Sequence, residues 1–340
     1  MPRSLLGRRA ALRLPAGLLL GAAPGTALGA SPAALPEAGA GTVPGAVPAT
    51  TLGGATFLVP GPDGGGASRW AERFAQRGTR GPAPRLNVVG GADGVTAANR
   101  FATTAAGDGR LLLVMPGSVP MAALSGSERA NYTLGGWTPL CLSWQPVLIA
   151  GRGPVPVGQN RPPLRFALPS PDSAEGGAIL LLESLGQSVT PVALPAGGVN
   201  VTAEAGFAAR ALDAVLLTGR DVLARAASLG ATPWYGGPAG PAALPSLTEP
   251  VREAAAAALG SAQLQAALML PALTPADTVA AWRQAATRWR EAAQAEPVAG
   301  EGEPLVGAEA AATLASLAPA PPSVLCWRDW LSRRLGWRPA

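Results

Sequence analysis

The residues of this chain best suited to chemistry lie in two glycine-rich loops. In the first, the apolar run Phe57-Leu58-Val59 breaks at Pro60, and Gly64, Gly65, Gly66, Ala67 and Ser68 follow. They lead into a helix-like segment with Trp70, Ala71 and Phe74 on one face. In the second, a strand over Arg85–Val89 runs into Gly91, Ala92, Asp93 and Gly94 and then a helix over Ala97–Ala105. A strand, a glycine loop and a helix start together aim backbone N–H groups and the positive end of a helix dipole at one spot, which suits a phosphate or carboxylate. The plain alternative for each loop is a tight turn that binds nothing. Ser170, Asp172 and Ser173 form a third candidate loop, and Gly197, Gly198 and Asn200 a fourth; for both the alternative is a solvated turn.

The residue types that are missing narrow the chemistry further. The chain has no histidine, and its 26 basic residues are all arginine. Without histidine, Ser-His-Asp and Cys-His nucleophilic sites are impossible, and Cys141 and Cys326 alone do not supply a structural zinc site. Without lysine there is no Schiff base, and the first loop lacks the Lys-Ser/Thr ending of a nucleotide-binding P-loop. A carboxylate pair such as Asp172 and Glu175 remains for acid–base work, although acids at that spacing more often face solvent. The expectation is therefore a protein that is not an enzyme and uses neither cofactor nor metal. An exported chain with an even cysteine count can form a disulfide, but Cys141 in an apolar stretch and Cys326 in a tryptophan-rich helix read as two buried thiols.

The elements that must position these loops follow from the order of the chain. Residues 1–30 have the form of an export signal: a basic start with Arg3, Arg8, Arg9 and Arg13, then a charge-free apolar run ending in small residues. The general secretory route is expected over the twin-arginine route, because Ala11 stands where a bulky apolar residue is usual. The formal net charge of +5 owes much to these arginines, since no acid precedes Glu37. A nearly neutral remainder without basic clusters argues against nucleic acid as a partner. Residues 31–54, rich in Ala, Pro, Gly and Thr without periodicity, read as a flexible linker.

From Ala55 onward short strands alternate with short helices, which predicts an α/β fold with parallel strands. Further strands are expected at Leu111–Met115, Pro146–Ala150, Leu164–Leu168, around Val189–Leu194 and at Asp213–Leu217, with helices over Ala178–Leu185 and Ala203–Leu212. The last third turns helical. Val279, Trp282, Ala286 and Trp289 share one stripe, and Leu325, Trp327, Trp330, Leu331 and Leu335 are expected to form another. Residues 294–322 give no clear pattern.

Taken together, Val59-Pro60-Gly61-Pro62-Asp63-Gly64-Gly65-Gly66, Gly91-Ala92-Asp93-Gly94 and Asp108-Gly109-Arg110-Leu111-Leu112 stand in a familiar order. Trp137-Thr138-Pro139-Leu140, Leu164-Arg165-Phe166-Ala167, Leu212-Asp213-Ala214, Leu244-Pro245-Ser246-Leu247-Thr248-Glu249 and Leu268-Met269-Leu270-Pro271 continue it. The series, over about 55–340, resembles the extracytoplasmic solute-binding receptors of tripartite tricarboxylate transporters, the Bug-type receptors.

The resemblance implies a two-lobed periplasmic-binding-protein clamshell of type II-like form, each lobe a βα sheet sandwich, with a helical C-terminal part returning to lobe 1. Lobe 1 would comprise 55–146 plus 237–340, and lobe 2 would comprise 147–236. It also implies a periplasmic monomer that holds a small-molecule ligand, typically a carboxylate, at backbone N–H groups and hydroxyls from both lobes. Membrane permease subunits would be its partners.

The chain departs from that family's pattern. Ser68 stands where aspartate is usual, Gly61 replaces an aromatic residue, Asp63 replaces a proline, Asp93 brings a carboxylate into the second loop, and the segment after Ile149 is shorter. A neutral amide, or an amino-bearing acid whose ammonium meets Asp93, suits these charges better than a dicarboxylate. Two other readings stay open: a sensor or scaffold that has lost ligand chemistry, and a carboxylate-based enzyme.

Overall fold

Most strands of this chain are continuous apolar runs rather than alternating ones, the pattern of strands covered on both faces. The computed structural model describes residues 52, 54–155, 162–194, 202–236 and 247–338, all within one compact unit, Ala46–Ala340. The expected leader and nearly all of the expected linker lie outside the described residues.

The first sheet begins with β1 (Thr56–Pro60), α1 (Gly66–Gly78), β2 (Arg85–Val89), α2 (Val95–Thr104), β3 (Leu111–Met115) and α3 (Ser118–Ser125). It is completed by β4 (Trp137–Trp144), β10 (Leu264–Pro271) and β11 (Glu303–Val306), in the order β11-β4-β10-β3-β1-β2. Between β4 and β10 the chain builds a second sheet. Its elements are β5 (Val147–Gly151), β6 (Leu164–Leu168), α4 (Glu175–Ser184), β7 (Val189–Ala193), α5 (Ala203–Ala208), β8 (Ala214–Thr218), α6 (Val222–Ser228) and β9 (Thr232–Gly236). The strand order there is β7-β6-β8-β5-β9. Helix α7 (Glu249–Gln263) leads back to β10, and α8 (Ala276–Ala295), α9 (Gly307–Ala315) and α10 (Pro321–Leu335) follow.

Neither sheet is wholly parallel, contrary to the expectation from alternating elements. Strands β1, β2 and β3 pair in parallel, but β10 runs antiparallel to both β3 and β4 because the chain re-enters the first sheet from its opposite end. In the second sheet β6 pairs in parallel with β7 and β8, while β5 is antiparallel to β8 and β9.

The prolines explain why β9 and β11 escape a local reading, whereas β7 is expected around Val189–Leu194 in spite of its proline. Pro191 in β7, Pro233 in β9 and Pro304 in β11 all lie on edge strands, where a missing N–H leaves no ladder bond unmade. Pro139 in β4 lies where the pairing with β10 shifts register. Helix α5 stops at Ala208, short of the expected 212, because Arg210 takes a left-handed backbone with φ 61°.

Side chains of the first sheet alternate between two cores, as the two-residue strand period requires. Phe57, Val59, Leu112, Val114 and Leu268 meet α1 and α8 through Trp70, Phe74, Trp282 and Trp289. Leu58, Leu113, Met115 and Met269 face the other way, toward Phe101 of α2 and Leu314 of α9. Trp70 and Trp289 meet edge to face at 5.5 Å, and Trp282 donates its indole N–H to the Gly109 carbonyl at 3.2 Å.

In the second sheet, Phe166 and Ile149 pack under α4, α7 and α10, and Phe207 and Val222 fill the opposite face. The C-terminal part is thus divided. Helix α8, β11 and α9 belong to the first sheet's cores, whereas α7 and α10 join the core that contains β6. Helix α10 also grips α3, where Arg328 donates to the carbonyls of Leu124 at 3.1 Å and Ala123 at 2.9 Å. Its Arg334 reaches Glu183 of α4 at 2.7 Å.

Two sequence expectations for α10 need correction. Trp327 and Leu331 are buried, but Leu325 is 66% exposed, because at about 100° per residue two positions carry it to the far side of the helix. Cys141 is buried in β4 and Cys326 is only half-buried in α10; both are free thiols. Burial raises the Cys141 thiol far above its ordinary range.

Replacing Trp282 with alanine should cost about 3–5 kcal/mol, measured by urea unfolding, whereas Leu325→Ala should stay within about 0.5 kcal/mol. A pH effect follows from Arg165, which donates to both carboxylate oxygens of Asp213 at 2.9 and 2.8 Å. Hydrogen bonding to that guanidinium holds Asp213 below its usual value of 3.8. A depressed folded value adds stability that is present above the unfolded value and lost as pH falls through the folded one. Urea midpoints taken from about pH 5 to about pH 2 should therefore fall less steeply in Asp213→Asn than in the parent chain.

Candidate functional site

The two glycine loops leave the first sheet side by side. Pro60 pairs opposite Val89, so both loops start at one level of the carboxyl edge. The Gly61 N–H donates to the Val89 carbonyl at 3.2 Å, and a Cβ on Gly61 would lie 3.9 Å from the Cα of Ala92. Strand β1 stands between β2 and β3, and α1 and α2 lie on opposite faces of the sheet. This is where open α/β sheets leave a crevice for ligands.

The first loop spends several of its polar groups on itself, while the N–H groups of Gly66, Ala67 and Ser68 that open α1 meet no acceptor among the described residues. Gly65 precedes α1 with no side-chain cap, and its N–H donates to the Pro62 carbonyl at 3.0 Å. A Cβ there would lie 2.8 Å from that same oxygen, so the turn requires glycine. The Ser68 hydroxyl is buried and donates to the Pro62 carbonyl at 3.3 Å. The Arg69 guanidinium closes on the Gly64 carbonyl, and the Gly64 N–H donates to the Asp63 carboxylate at 3.0 Å.

The second loop is more outward-looking. Gly94 has φ 73°, and a Cβ on it would strike Pro116 at 2.7 Å, so this position too is restricted to glycine. Asp93 accepts the first N–H of α2, from Val95, at 3.2 Å. Its other carboxylate oxygen lies 2.8 Å from an Arg129 guanidinium nitrogen. The Ser118 hydroxyl donates to the Asp93 carbonyl at 2.7 Å. Tyr132 stands nearby, donating to the Val119 carbonyl at 2.9 Å; burial first, and the Asp93 charge second, raise its phenol well above the ordinary value.

A cavity of about 330 Å³ gathers Asp93, Ser118 and Arg129 from the first sheet's edge with Asp172 and Ser173 from the segment between β6 and α4. Ser261 near the end of α7 also lines it, and Val95, Met121 and Ala122 supply apolar wall. Ser170 takes part only through Asp172, whose carboxylate accepts its hydroxyl. The Ser173 Oγ is enclosed and has no hydrogen-bond partner among the described residues.

The other expected residues are placed differently. Gly64, Gly65, Gly66, Ala67 and Ser68 do not line this cavity, nor do Gly91, Ala92 and Gly94, which shape the turn that holds Asp93. Glu175 does not line it either, so the Asp172 and Glu175 pair is not gathered for acid–base work. Gly197, Gly198 and Asn200 lie outside the described residues.

Arg129, Ser118 and Ser261 carried no sequence signal, since none stands in a motif and each is brought in by folding. A second cavity of about 310 Å³, lined by Phe101, Trp137 and Leu273, lies at the amino end of the parallel strands and contains none of the expected residues. Among the described residues no cluster of His, Cys, Asp and Glu could hold a metal ion, and no helix is long and apolar enough to cross a membrane.

No protein-family model matches the chain, and no curated protein matches it. Solved structures do. A TctC solute binding protein from Polaromonas aligns with a TM-score of 0.56 at 16% identity, over 82% of this chain and 98% of that one. MatC from Rhodopseudomonas palustris, solved with bound malate, aligns with a TM-score of 0.49 at 22% identity, over 82% of this chain and 98% of that one. The likeness to the Polaromonas protein spans both sheets, and the chain has the two-lobed clamshell fold of a solute-binding protein.

Asp93 and Arg129 are 37% and 60% exposed in their side chains, so their attraction is screened by solvent. A double-mutant cycle with Asp93→Asn and Arg129→Met, read by urea unfolding, should give a coupling of about 0.2–1 kcal/mol.

Proposed function

We propose that this protein is an exported solute-binding receptor that captures a small organic acid, amino acid or amide between two lobes and delivers it to a membrane transporter. The lobes would be 55–146 with 237–340, and 147–236, with α7 and α10 of the former stretch packed on the second sheet's core; the protein would be a periplasmic monomer with a secretory leader, and permease subunits its membrane partners. The observation that carries this reading is the cavity lined by Asp93 and Arg129 on one side and by Asp172 and Ser173 on the other. Residues from two sheets that meet around one cavity can be drawn together by a bound molecule, and closure by hinge motion would then signal occupancy to a partner. The fold shared with the Polaromonas solute binding protein supports the same reading.

The role of the first loop in this scheme is indirect. The Gly61 N–H bond to the Val89 carbonyl keeps its start beside that of the second loop, and the loop itself does not line the cavity.

The test is a thermal-shift and calorimetric panel of organic acids, amino acids and pyridine amides against the full chain. A ligand at about 100 times its Kd should add about 2.7 kcal/mol of stability, enough to raise Tm by several degrees. Small-angle scattering should show a more compact form with that ligand bound. A folded protein that binds no member of the panel would end the transport reading.

A further inference from the structure

From the charge arrangement in the cavity, and resting on the receptor reading above, we infer that the ligand carries a protonated amine, held by Asp172 and Ser173. Among the described residues, three ionisable side chains line the cavity: Asp93, Arg129 and Asp172. Arg129 is committed to Asp93 at 2.8 Å, and the two charges cancel. Asp172 has no ion-pair partner among the described residues; its one bond is the hydroxyl of Ser170. Among the described residues the cavity therefore carries one uncompensated negative charge, on the wall contributed by the second sheet.

The neighbouring Ser173 makes the site directional. Its Oγ is enclosed yet has no hydrogen-bond partner among the described residues, a state that costs free energy until a partner arrives. An ammonium group has three donors and no acceptor, so it can give one hydrogen to the Asp172 carboxylate and one to the Ser173 hydroxyl. A carboxylate in that place would face the Asp172 charge, which no cation pairs among the described residues. The opposite end of such a ligand would meet the Asp93–Arg129 pair, which offers both a donor and an acceptor and so takes a carboxylate or an amide. The apolar wall of Val95, Met121 and Ala122 suits a short methylene chain between the two ends.

Isothermal titration calorimetry of the full chain with 4-aminobutanoate, succinamate and succinate tests the assignment, because these probes differ chiefly at one end. The expected result is that 4-aminobutanoate binds about ten-fold or more tightly than either of the others. Asp172→Asn should abolish that preference, whereas Glu175→Gln, which alters an acid outside the cavity lining, should retain it. Circular dichroism checks that Asp172→Asn is folded. If it is not, Ser173→Ala takes its place and should weaken 4-aminobutanoate several-fold with succinate unchanged.

Succinate or succinamate binding as tightly as 4-aminobutanoate would overturn the amine assignment and leave the receptor reading standing. An unchanged preference in a folded Asp172→Asn chain would do the same. Failure of all three probes to bind also overturns the amine assignment, and the wider panel then decides the receptor reading separately.

Discussion

Burial of β1 on both faces is the constraint on which the rest of the first sheet depends. Phe57 and Val59 face the tryptophan-rich core under α1 and α8, and Leu58 faces the core under α2. With apolar side chains on both sides, the strand must be flanked by β2 and β3 and covered by helices on each face. Two crossovers of one hand satisfy this only if successive helices fall on opposite sides. The turns that make those crossovers then emerge together at one edge. The adjacency of the glycine loops is thus a consequence of core packing, and the site inherits it.

The second sheet is joined to the first by more than a chain crossing. Helix α10 holds the last carbonyls of α3 through Arg328 and the Glu183 carboxylate of α4 through Arg334 and the Trp330 indole. The Arg328 bonds are the favourable pairing of a cation with the negative end of a helix. Trp327, buried among α4 and α7 side chains, adds an indole contact to Ser125 at 3.3 Å. Arg220, just after β8, donates to the Gly302 carbonyl beside β11 at 2.8 Å. Any relative movement of the two sheets has to be accommodated by these contacts as well as by the short Trp144–Val147 connection.

Within the cavity the balance of charges differs from what the isolated motifs suggest. Asp93 by itself argues against an anionic ligand. Paired with Arg129 it becomes a neutral unit with both donor and acceptor capacity, and the uncompensated charge passes to Asp172. The first loop shows the reverse. Its three glycines suggest an anion cradle, yet Ser68, Arg69 and Asp63 bond the loop's own backbone and none of its residues lines the cavity.

Much of this was legible along the chain, because it is local. Apolar runs marked β1, β2, β3 and β6, helical spacing marked the buried Trp282 and Trp289, and glycines marked the turns at Gly65 and Gly94. Each depends on a few consecutive residues and a fixed period. Strands β9 and β11 carry prolines that local pattern counts against, and sheet edges are where such strands are tolerated. Leu325 stands among apolar neighbours in the sequence, but the helical angle turns it to solvent. The meeting of Arg129 with Asp93, and of both with Asp172 and Ser173, depends on how two sheets are set against each other. Pairings so distant in sequence leave no local pattern, and only the folded chain decides them.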